Sequence, residues 1–379
     1  MSELGYPRGA PAPAPRFRVG ALALLAGVSL FLWGGIVLPV LLAQAAGKHK
    51  SPPPVIAGKV GQQLDEILRS LDLDTGGCYG SVLVAKKGKP ILVQSYGFLD
   101  DAKKQPVPVD AQWDWASVTK QFTAAAVLRL AQERKLSLDD SIRKWYPELP
   151  ESHQAVTLHH LLTHTSGLEQ NGADGDPFSR ENFILSGLQK MKVIAPPGEK
   201  WSYNNLAYGA LAAVVEKVTE KPFEEWSKEN LFEPFGMNDT TFIGQSDLDL
   251  ERVPKDNRGK GVPFAYGNRL NWGYRGAGGV VSSTIDMLKW HQVLSSDKLL
   301  SKKTKEIYYK TVKDDYACGW TVKTERGDTF TTHSGRVGET VTYYLRALES
   351  DVVIALAYGY VPKEHPERTA MRLFEIVGR

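Results

Sequence analysis

The sequence predicts an α+β fold: an antiparallel sheet built from N- and C-terminal strands, flanked by helices, with a large and mostly helical insertion. One transmembrane helix is expected ahead of it. Three observations carry this reading. Strand-like runs stand at both ends of the chain, Ser81-Val82-Leu83-Val84 and Ile91-Leu92-Val93 early, and residues 318–322, 340–345 and 352–359 late. Between them apolar residues fall at helical spacing and β-branched runs are few. And residues 19–43 pass without a single charge.

Taken in order, residues 1–18 are rich in Pro and Ala, carry Arg8, Arg16 and Arg18, and are expected to form a disordered cytoplasmic tail. At about 1.5 Å per residue, segment 19–43 is long enough to cross the ~30 Å hydrocarbon core as a signal-anchor. A cleavable signal peptide is the competing reading, since Ala43-Gln44-Ala45 resembles a cleavage site, but its apolar region spans only about 7–15 residues. The domain beyond is thus expected on the extracytoplasmic side, periplasmic or extracellular, either anchored or secreted after cleavage. Residues 44–56, with Ser51-Pro52-Pro53-Pro54, read as a stiff linker, and 57–379 as the folded domain.

That domain opens with an amphipathic helix through Val60, Leu64, Ile67, Leu68 and Leu71, ended by Gly76-Gly77. A hairpin follows, turning at Lys87-Gly88-Lys89-Pro90. Helices are expected from Ser117 to Leu136 and over residues 158–162, 206–218 and 367–377. With 42% apolar and 23% charged residues the chain is ordinary for a globular protein. A formal charge of +3, with no basic block interleaved with aromatics, excludes nucleic acid as the main partner. The two cysteines, Cys78 and Cys318, either pair in an exported protein or serve as small buried apolar residues.

Chemistry concentrates in three places. In Ser117-Val118-Thr119-Lys120 a helix puts the lysine on the serine's face, because residues three apart are neighbours. A serine hydroxyl needs a nearby base, and lysine serves only where burial, a second cation or a helix N-terminus disfavours its ammonium form. Tyr203-x-Asn205 precedes a helical run, and Thr332-His333-Ser334-Gly335 lies in the strand-rich C-terminal third.

Together these resemble the three active-site motifs of the serine β-lactamase and penicillin-binding protein superfamily. The Tyr-x-Asn form is similar to its class C β-lactamase-like branch. Residues 115–142, 156–168, 276–290 and 316–322 resemble further segments of that branch, so the likeness runs from about Ile67 to Tyr360. The resemblance implies the DD-peptidase/β-lactamase-like fold, no cofactor and no metal, and a small-molecule or peptide substrate. It makes Ser117 the acylated nucleophile, with Lys120 and Tyr203 sharing proton transfer. Asn205 would bind a substrate carbonyl, His333, Ser334 and Gly335 would line the substrate site, and the backbone N–H groups of Ser117 and Arg336 would form the oxyanion hole. His333 departs from the best-known Lys-Thr-Gly pattern, in which the lysine helps bind a carboxylate. The expectation is therefore an ester- or amide-cleaving serine hydrolase, with a true β-lactamase and a penicillin-binding sensor that acylates without turnover as alternatives.

Other residues have plainer readings. His159, His160 and His164 cluster, two of them four apart, yet no HExxH motif or partner carboxylate accompanies them, and the loop over 161–168 is expected to brace the site. Tyr208 is expected in the core, Ser282 and Ser283 in a structural turn, and Ser166 is no nucleophile.

Overall fold

The structure, a computed structural model, describes residues 49–71, 79–100, 105–169, 176–254, 269–359 and 364–378. The N-terminal part supplies β1 (Val55–Ile56), α1 (Gly58–Ser70), β2 (Gly80–Lys86), β3 (Lys89–Tyr96), β4 (Phe98–Asp100), β5 (Gln105–Pro106) and β6 (Trp113–Asp114). The middle holds α2 (Lys120–Gln132), α3 (Leu158–Leu162), α4 (Ser186–Lys190), α5 (Asn205–Thr219), α6 (Phe223–Ser227), β7 (Thr241–Phe242), β8 (Val280–Ser282), α7 (Thr284–Ser295) and α8 (Lys302–Tyr309). Four strands then return, β9 (Thr321–Glu325), β10 (Asp328–Val337), β11 (Thr340–Ala347) and β12 (Val352–Tyr358), before α9 (Pro366–Val377).

The two ends do share one sheet. Its order is β1-β3-β2-β12-β11-β10-β9, antiparallel at every step. Period-two alternation divides its side chains. Val82, Val84, Leu345, Ile354 and Leu356 pack on one face with Leu64 and Leu68 of α1 and Leu373 of α9. Leu83, Ala85, Tyr344, Val353, Ala355 and Ala357 belong to the larger core on the other face, which includes the apolar side chains of α2 and α5.

Several expectations need correction. Residues 50–56 of the expected linker belong to the folded unit: Lys50–Arg379 form one compact unit, and Val55 and Ile56 pair with Val93 and Leu92. Ser51 Oγ also donates to Asp110 Oδ1 at 2.7 Å, so the Pro-rich stretch is tied down by side-chain hydrogen bonds. The mostly helical middle also contributes two short strands the sequence did not show: β7 and β8 join β6 in a small sheet of two- and three-residue strands, too short to show a period. Ser282 lies in β8 and Ser283 caps α7, accepting from the Asp286 N–H, so no turn borders the site there. The apolar run at 19–43, Gly76-Gly77 and Cys78 lie outside the described residues. Among the described residues no helix is long and apolar enough to cross a membrane.

Candidate active site

The long helix expected from Ser117 begins differently. Residues Ala116–Thr119 form a 3-10 turn, and α2 starts at Lys120. In a 3-10 turn residues i and i+3 eclipse, which stacks Ser117 directly against Lys120. Ser117 is the one half-buried residue in a run of buried ones. Lys120 is fully buried. Tyr203 stands in the loop before α5, whose N-terminus Asn204 caps by accepting from the Ala207 N–H. That cap delivers Tyr203 and Asn205 to the same place.

There the Tyr203 hydroxyl donates to Ser117 Oγ at 2.8 Å, and Lys120 Nζ lies 3.2 Å from the same oxygen. Lys120 also donates to Asn205 Oδ1 at 2.8 Å and to the Ala277 carbonyl at 2.9 Å. Its amine sits 4.7 Å above the Tyr203 ring and 5.5 Å above that of Tyr208. Burial, with no carboxylate among these partners, holds the lysine well below its ordinary pKa. Burial pushes the Tyr203 phenol up to about 12, against the pull of its hydrogen bond to Ser117.

The third motif arrives on β10. A Cβ at Gly335 would sit 2.4 Å from both the Trp115 carbonyl and Thr342 Oγ1, so only glycine lets the strand press against the Ser117 turn. Thr342 Oγ1 also donates to that Trp115 carbonyl at 3.1 Å. β9 pairs with β10 only as far as Thr332, and among the described residues no strand covers the edge from His333 to Val337. Along that stretch His333 and Gly335 are buried, while Ser334 and Arg336 are exposed. A cavity of about 370 Å³ is lined by Ser117, Tyr203, His333, Arg336, Tyr343 and His365, among others.

His333 carries no charge here. Its Nδ1 donates to the Ser334 carbonyl at 2.7 Å, so Nε2 is the acceptor, 3.1 Å from the Tyr316 hydroxyl. Burial, and then the charge of Lys120, lowers its pKa to about 3.

The remaining histidines separate. His160 Nδ1 accepts from the Thr157 N–H in a capping box at the start of α3. The helix ends at Leu162, and His164 turns away with φ +58°. Its Nδ1 accepts from the Asn204 N–H at 3.2 Å, and its carbonyl from the Ser202 N–H at 2.8 Å. The loop therefore holds the Tyr203 segment directly. Tyr208 is buried and donates to the Leu162 carbonyl. Cys318 is buried and burial pushes its thiol up to about 12.

Sequence reasoning missed Ala277, Tyr316 and Thr342. A backbone carbonyl has no residue signature, and the other two partner groups distant in sequence; only the Gly276-Ala277-Gly278-Gly279 run marked a close approach.

An antiparallel sheet closed on a helical lobe, with a hydroxyl, an amine and a phenol meeting at the seam, defines the class of β-lactamase and penicillin-binding-protein-like folds. The family described as Beta-lactamase matches residues 73–375, and the chain belongs to it. It is 28% identical over 293 residues to "Penicillin-binding protein 4*" of Bacillus subtilis (strain 168), covering 68% of this chain and 62% of the relative. It is 27% identical over 323 residues to "Protein flp" of Staphylococcus aureus (strain N315), covering 80% and 64%. The chain thus spans less than two thirds of the length of these relatives. An octameric penicillin-binding protein homologue from Pyrococcus abyssi superposes with a TM-score of 0.72 at 26% identity, over 85% of this chain and 78% of that one.

Proposed function

We propose that this protein is a serine hydrolase that cleaves an ester or amide through an acyl-enzyme on Ser117. One observation carries the reading: Ser117 Oγ sits between a phenol and a buried amine whose other two partners only accept. A neutral Lys120 spends both N–H groups on Asn205 Oδ1 and the Ala277 carbonyl, which leaves its lone pair for the Ser117 proton. Tyr203, still a phenol at neutral pH, donates to Oγ and stands ready to protonate the leaving group. Asn205 keeps its Nδ2 group for a substrate carbonyl. The N–H groups of Ser117 and Arg336 form the oxyanion hole, a role supported by the close approach of β10 to the Ser117 turn at Gly335. The open edge beyond Thr332 takes an extended acyl group or a short D-amino-acid peptide alongside Ser334 and Gly335.

Neutral His333 offers no charge to a carboxylate, which favours ester or amide substrates over β-lactams. Residues 19–43 act in this reading as a membrane anchor, with the hydrolase unit outside the cytoplasm; alkaline extraction of membranes would release the protein if the segment were cleaved. The central test uses the full-length chain with and without Ser117→Ala. Each is given a p-nitrophenyl ester, a chromogenic cephalosporin and a D-Ala-D-Ala peptide, and intact mass is read after each. Turnover of ester or peptide that disappears with Ser117→Ala is expected; unchanged turnover refutes the proposal. A lasting cephalosporin adduct without turnover would mark a penicillin-binding sensor instead.

A further inference from the structure

One fully buried carboxyl near the nucleophile has no part in the chemistry above. Asp114 ends β6, three residues before Ser117, and is 2% exposed. Its Oδ1 accepts from the Ala116 N–H at 2.8 Å, and the Tyr274 hydroxyl lies 3.2 Å from both carboxyl oxygens. Among the described residues no cation stands within ion-pair distance of it. Burial pushes the carboxyl up to about 7, although both donors pull it down. A bare buried carboxyl is costly to keep.

What it holds is strained. Ala116, the residue before the nucleophile, has φ +46°, in the left-handed region that side chains other than glycine rarely adopt. Asp114 grips the N–H of that residue. On its other side Tyr274 opens the turn that receives Lys120. The Tyr274 carbonyl accepts from the Ala277 and Gly278 N–H groups at 3.1 and 2.7 Å, and the Ala277 carbonyl accepts from Lys120 Nζ. A Cβ at Gly278 would come within 2.2 Å of the Tyr274 ring, so that glycine lets the ring lie across the turn.

We infer that Asp114 and Tyr274 form a clamp in which Asp114 is a positioning residue, fixing the strained Ala116 backbone and thereby the aim of Ser117 at Lys120. The inference rests on the acyl-transfer reading for its kinetic consequence, but the clamp itself is a structural claim. An acceptor at Oδ1 is what it requires. A substrate contact is not.

The test compares Asp114→Ala, Asp114→Asn, Ala116→Gly and the double variant Asp114→Ala/Ala116→Gly in the full-length chain, with folding checked by thermal melting. The acylation burst with p-nitrophenyl acetate should slow about 100-fold in Asp114→Ala, the usual consequence of misplacing a reacting group by an ångström, with KM moved less than about 3-fold. Asp114→Asn keeps an acceptor and should restore most of the rate. Glycine adopts the left-handed conformation without strain, so the double variant should recover at least about tenfold over Asp114→Ala. A burst at the wild-type rate in Asp114→Ala overturns the clamp, as does a double variant that folds but is no faster. Hydrogen exchange at the Ala116 amide judges the clamp without turnover: Asp114→Ala should accelerate it at least about tenfold, and unchanged protection overturns it. If the wild-type protein shows no burst on Ser117, the function proposal falls while this exchange measurement still decides the clamp.

Discussion

The two faces of the seven-stranded sheet are built from the same strands and to opposite ends. Toward α1 and α9 the sheet presents Val82, Val84, Phe330, Leu345, Ile354 and Leu356, a continuous aliphatic and aromatic surface. Toward the helical lobe the bulk of Leu83, Tyr344 and Val353 is interspersed with smaller or polar residues, Ser81, Thr331, His333, Gly335, Thr342, Ala355 and Ala357, all buried. Bulk on the first face gives stability through area removed from water. On the second, the missing side chain at Gly335 lets the Ser117 turn touch β10, and Thr342 Oγ1 bonds the Trp115 carbonyl beside it. The site face gives up packing for proximity.

Four substitutions test that contrast. Lys120→Met should produce the largest change in chemistry, slowing acylation by about 1,000-fold, within the range for loss of a general base. Its melting temperature should not fall, because a buried amine without a counter-charge gives way to an apolar chain. Ile354→Ala on the opposite face should do the reverse, costing about 2–5 kcal/mol in denaturant unfolding with the burst rate intact below the transition. Gly335→Ala should affect both readouts, slowing acylation about 100-fold as the strand backs away from Trp115, and lowering the melting temperature.

The smallest effect at neutral pH belongs to His333→Gln, under about tenfold in rate. Its signature is in acid. The folded ring protonates near 3 against an ordinary 6.5, so between those values the unfolded chain binds more protons and stability falls as pH drops. Glutamine removes that slope, so the variant should lose less stability than the wild type between pH 7 and pH 4 in parallel denaturant titrations.

Much of this was legible in the sequence because it is local. The spacing of Ser117 and Lys120 fits one turn, Tyr203-x-Asn205 sits at a helix start, and β2, β3, β11 and β12 announce themselves by β-branched runs. The 3-10 character of the Ser117 turn, the clamp from Asp114 to Tyr274 and the link from Tyr316 to His333 were not legible. Each depends on a partner that folding brings in from elsewhere, or on a backbone angle no residue type dictates: the left-handed residue is an alanine, not a glycine. The missed sheet of β6, β8 and β7 failed for lack of length. β1 was hidden because its two residues follow a run of prolines that reads as spacer.

The central claim is that a neutral Lys120 takes the Ser117 proton. The pH dependence of the acylation burst, measured for the wild type and Lys120→Met, tests it most directly. A lysine base held neutral by burial should give an acid limb well below the ordinary lysine value of 10.5 that disappears in Lys120→Met. A limb at or above 10.5, or the same limb in both proteins, would contradict it.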